Sequence, residues 1–135
     1  MPAPTTKPFE IWEDHAATVR FCFSYISDAV TTGAVMIKAN FELPQHTYAS
    51  CSQSLTQLAG QCSVIIFGKA GEILAVSELG PGDCLDIAAG TTRLITNVSE
   101  EESVTLFALK GETQDVIEHI RRIYVPIDRS PAQKA

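Results

Sequence analysis

Along most of the chain, apolar and polar positions alternate in short runs. Val19, Phe21, Phe23 and Tyr25 alternate with Thr18, Arg20, Cys22 and Ser24, the period of a strand with one buried face. Ala34–Phe41, reached through Thr-Thr-Gly, reads as a second strand. Further strands are expected at Gln45–Ala49, Gln53–Ala59, Cys62–Gly68, Glu72–Ser77, Asp83–Ile87, Arg93–Val98 and Val104–Leu109. Turn signals separate them: Leu43-Pro44, Ala59-Gly60-Gln61, Lys69-Ala70-Gly71, Gly80-Pro81-Gly82 and Ala89-Gly90. Short strands repeating every roughly 8–12 residues predict an all-β sandwich or barrel. The period changes only near the end. In Thr113–Ile123, Val116, Ile117, Ile120 and Ile123 fall on one helical face, with Thr113 placed to cap a short C-terminal helix.

Composition fits one domain. The chain has 135 residues, of which 45% are apolar and 19% charged, enough apolar material for a core and too little charge for a disordered chain. Residues 1–8, rich in proline, are expected to form a flexible arm, residues 9–125 the barrel and residues 126–135 a tail. A net charge of −6 argues against a nucleic-acid partner and against docking to an anionic membrane. No run is long and apolar enough to span a bilayer, and the N-terminus lacks the apolar region of a secretory signal. A cytoplasmic location is the expectation. Cys22, Cys51, Cys62 and Cys84 are scattered, with no C-x-x-C pair, and read as buried thiols rather than a disulfide framework. The Asn97-Val98-Ser99 sequon then carries no modification.

Residues 82–97 carry the most specific pattern. Gly82, Gly90 and Asn97, preceded by Leu79-Gly80-Pro81, are spaced as in the second cupin motif, G-x5-P-x-G-x2-H-x3-N, with Ala88 at the proline position and Arg93 at the histidine position. Upstream, Asn40, His46, Tyr48, Gln53 and Gly60 occupy the positions of the first motif, G-x5-H-x-H-x3,4-E-x6-G, where His46 and Gly60 keep the family residue. The chain therefore resembles the cupin superfamily. The resemblance implies a double-stranded β-helix, or jelly-roll barrel, with the short helix added at its C-terminal end, and a homodimer.

The resemblance also implies a metal site of two His and a Glu from the first motif and one His from the second. Here those positions hold His46, Tyr48, Gln53 and Arg93. Arginine offers no lone pair and repels cations, and one imidazole falls short of the three or four ligands of a tight site. No metal or other cofactor is expected. His15 and His119 do not repair the set; a solvated or capping role suits them better.

His46 and Tyr48 lie two apart on a strand and so share a face. Arg93 either pairs with a buried carboxylate or backbone carbonyls, or grips an anionic small molecule. His46 is either a satisfied core histidine or, with Tyr48, an acid–base pair. Gln53 and Gln57 are expected on that face as ligand-orienting groups. Cys51 reads as an inert thiol, Cys62 and Cys84 as small core residues, and Trp12 as cover for an edge or dimer seam. Three functions stay open. One is a metal-independent isomerase, epimerase, cyclase or lyase. The second is a non-catalytic ligand-binding barrel. The third is a degenerate metal cupin of dioxygenase type.

Overall fold

Pro44 shows how this sequence shapes its own barrel. It lies in a strand yet has no N–H to give the ladder, and the pairing slips there by one residue, from Leu43↔Ile95 to His46↔Arg93. The computed structural model describes residues 10–127; the expected arm at residues 1–8 lies outside them. In chain order the elements are β1 (Glu10–Glu13), β2 (Val19–Ile26), β3 (Val30–Ile37), β4 (Glu42–Thr47), β5 (Cys51–Ala59), β6 (Cys62–Phe67), β7 (Ile73–Leu79), β8 (Cys84–Ile87), β9 (Thr92–Thr96), β10 (Ser103–Gly111), α1 (Gln114–Ile123) and β11 (Val125–Ile127).

Two antiparallel sheets result. One has the order β11-β1-β2-β3-β10-β5-β8, the other β4-β9-β6-β7. Each expected strand is present, with ends shifted by a few residues. The largest shift is in β3, which ends at Ile37 because Lys38–Phe41 make a turn closed by Phe41 N–H to Lys38 O. Within the tail expected from residue 126, Pro126 and Ile127 instead pair with Trp12 and Ile11 in β1; residues 128–135 lie outside the described residues. The alternation rule missed β1 and β11 because, at four and three residues, they carry too few alternations.

The motif spacing acquires a backbone reason. Asn40, Gly60, Gly82 and Gly90 all have positive φ. Asn40 stands at the first motif's glycine position with φ 66°, a conformation asparagine tolerates better than most residues. At Gly60 a Cβ would lie 2.3 Å from the Glu102 carbonyl oxygen, so glycine is required by space as well as by φ. Asn97 is fully buried. Its amide donates to Ile37 O (2.9 Å) and Glu101 O (2.7 Å) and accepts from the Ser99 backbone N–H and hydroxyl. It braces the turn that carries Glu100–Glu102.

The core lies between the sheets. Val19, Phe21, Phe23, Val35, Ile37, Leu55, Phe107 and Leu109 face Leu43, Val64 and Ile95. Phe21 and Phe23 meet Phe107 edge-on, and Tyr124 packs 5.5 Å from Phe21. Trp12 packs partly buried against this core. Helix α1 buries Val116, Ile117 and Ile120. Thr113 precedes it as expected, but its hydroxyl donates to Ser27 O (2.6 Å) rather than capping the helix. It thereby ties α1 to the β2–β3 turn.

None of the four cysteines is in a disulfide. Cys51 donates to Glu112 O and Cys62 to Gln57 Oε1, both buried. Cys84 corrects the sequence reading: it is exposed, on the outer face opposite Thr56.

Candidate functional site

The slip at Pro44 brings His46 opposite Arg93 on neighbouring strands. Bulges of this kind commonly re-aim a side chain at a functional position. The displaced carbonyl of Pro44 accepts a hydrogen bond from His46 Nδ1 at 2.8 Å. A carbonyl can only accept, so Nδ1 carries the proton and Nε2 presents its lone pair. Nε2 is buried and has no partner.

Tyr48 follows directly. Its backbone carbonyl accepts from Gly90 N–H at 2.9 Å, joining the two motifs. Its ring centroid lies 4.7 Å from that of His46, tilted by 44°. The Arg93 guanidinium carbon lies 4.7 Å from the same Tyr48 centroid, within cation–π range. Arg93 has no solvent exposure, and its Nε, Nη1 and Nη2 all lack a hydrogen-bond partner.

Burial sets the protonation states. It lowers His46 to about 4, aided by repulsion from Arg93 and His119 and opposed by the Pro44 hydrogen bond. The imidazole is therefore neutral at pH 7. Burial raises Tyr48, with Arg93 pulling the other way, so the phenol keeps its proton. Burial lowers Arg93, with Tyr48 pulling the other way. Among the described residues, no carboxylate forms an ion pair with this cation.

Gln53 faces the interior from β5 in the opposite sheet, nearly buried, with Oε1 unpartnered. Gln57 does not join the site. Its Nε2 donates to Ala59 O and Ser103 Oγ, and its Oε1 accepts from Thr105 and Cys62. Both ends are committed to the barrel wall.

A cleft of about 400 Å³ lies between the β4 end and α1. It is lined by residues 45–50 of the strand and its loop, and by Glu112, Asp115, Val116 and His119. His46 and Tyr48 form part of its wall and also line a smaller neighbouring pocket with Phe21 and Tyr124. The helix face supplies what sequence reasoning missed. Glu112, Asp115 and His119 are exposed and polar, and no spacing rule links them to a motif some sixty residues upstream.

No protein-family model matches this sequence, and no curated protein matches it. Solved structures do. The Cnp3 cupin domain of Schizosaccharomyces pombe superposes with a TM-score of 0.62 at 15% identity, over 74% of this chain and 66% of that one, just under two thirds. The CENP-C cupin domain of Drosophila melanogaster gives 0.65 at 19%, over 75% and 72%. KdgF from Halomonas sp. gives 0.65 at 15%, over 78% and 91%. The chain has the cupin fold.

Against the cupin metal positions, the residues present do not fit. Arg93 puts a fixed cation without a lone pair at one ligand position, paired in register with the single imidazole at another. The phenol at a third position holds its proton. Among the described residues, no group of three His, Cys, Asp or Glu side chains gathers to hold a metal ion. None of the described helices is long and apolar enough to cross a membrane.

Proposed function

We propose that this cupin barrel binds a small anionic molecule, with Arg93 as the anchor of its negative group. One observation carries the reading: a fully buried guanidinium with three unpartnered nitrogens and, among the described residues, no carboxylate paired with it. An uncompensated buried cation is strongly destabilising unless something neutralises it. Water can satisfy N–H groups but not the charge. A carboxylate or phosphate does both, in the fork geometry that arginine favours.

His46 and Tyr48 complete the proposed site. Neutral His46 offers an acceptor at Nε2, and protonated Tyr48 offers a donor. Such a pair has what is needed to pass a proton between two atoms of a bound molecule. The low basicity of His46 opposes that role in the free protein, since a general base works best near the operating pH. An anion on Arg93 removes one cause of that low basicity. Binding is therefore the primary function proposed here, and turnover by His46 and Tyr48 is its extension.

Calorimetric titration with propionate, lactate and inorganic phosphate tests the reading. Saturable binding of at least one of them by the wild type, lost in Arg93→Met, is expected. Failure of all three to bind would overturn it.

A further inference from the structure

Resting on the anion-binding reading, we infer that the ligand is a small hydroxycarboxylate, whose carboxylate meets Arg93 and whose hydroxyl donates to His46 Nε2. The unpartnered buried atoms are of two kinds. Arg93 contributes N–H donors on Nε, Nη1 and Nη2; His46 Nε2 and Gln53 Oε1 contribute acceptors. A simple carboxylate brings acceptors alone. It satisfies Arg93 but leaves the imidazole lone pair without a donor, and an acceptor buried without a donor loses its hydration with no return.

The Pro44 carbonyl fixes this requirement. With Nδ1–H committed to Pro44 O at 2.8 Å, the ring cannot change tautomer to offer a donor inward without breaking that bond. Arg93 is the cross-strand neighbour of His46, yet none of its nitrogens bonds to Nε2. The donor to Nε2 is then a water or a bound molecule, and a hydroxyl on the molecule that Arg93 holds supplies it without a separate water. An ammonium donor is disfavoured, because it would add a second cation to an interior that already holds Arg93 unpaired.

A site built to hydrogen-bond a hydroxyl discriminates strongly against the analogue that lacks it. The test is a matched series: lactate against propionate and alanine, and malate against succinate, titrated into the full chain. The hydroxy acid of at least one pair is expected to bind at least about tenfold more tightly than its deoxy partner, and lactate more tightly than alanine. His46→Phe should reduce the hydroxyl preference to within about twofold while carboxylate binding persists, and Arg93→Met should lose both members of each pair. On the wild type alone, the His46 ring-nitrogen NMR resonance should move further on saturation with lactate, which adds a hydrogen bond to Nε2, than on saturation with propionate, which changes only the charge beside it, a readout that needs no variant to fold. Equal binding of hydroxy and deoxy acids would overturn the hydroxyl assignment and leave the anion reading standing. Absence of binding by every acid would overturn both.

Discussion

Arg93, Tyr48 and His46 form a short stack in which each group alters the next. The guanidinium depresses the imidazole and opposes the rise of the phenol. The consequence for stability follows from His46. Its folded value of about 4 lies below the 6.5 of a free imidazole. Between those two pH values the unfolded chain binds a proton that the folded chain refuses. The contribution of His46 is thus constant above about pH 6.5 and diminishes as pH falls toward 4, by up to roughly 3 kcal/mol. Urea titrations across this range should show the decline in wild type and a flatter profile in His46→Gln. Equal slopes in the two proteins would contradict the assigned state. Of these three residues, sequence spacing put His46 and Tyr48 on one face. It could not tell whether Arg93 would find a carboxylate, because pairing depends on groups far away in the chain.

At the level of elements, the long strands were legible because each has a buried and an open face. The seven-residue reading of Gln53–Ala59, for instance, lies wholly within β5. The short strands β1 and β11 carry too few alternations to be recognised. Gln57 shows the limit of face arguments. It shares the inward face of β5 with Gln53, yet Ser103, Thr105 and Cys62 engage it completely. Helix α1 was legible from its period, but its role as one wall of the cleft was not. Ile117, fully buried beneath that helix, gives a check on its docking. Ile117→Ala should lower stability by about 2–5 kcal/mol, which chemical denaturation would read. A change under about 0.5 kcal/mol would mean that α1 is not packed as described.

For the whole molecule, the chain has the cupin fold even though half the residues of the two cupin-like motifs are altered. Their glycine and asparagine positions set backbone turns, and those are kept: Asn40 and Gly60 hold positive φ, and Asn97 still braces its turn. The ligand positions answer to a different requirement, and in the proposed site they surround an anion rather than a cation. Keeping an unpaired guanidinium inside the barrel works against stability, and the proposed anion binding gives that cost a purpose. The most direct test is thermal melting of wild type and Arg93→Met, each with and without saturating lactate. Without ligand, the methionine variant should melt at or above wild type, a gain of about 1–4 kcal/mol being typical when a poorly compensated buried charge is replaced by an apolar side chain. Lactate should raise the melting temperature of the wild type alone. A variant that melts well below wild type, with neither protein responding to lactate, would make Arg93 a structural residue and contradict the account.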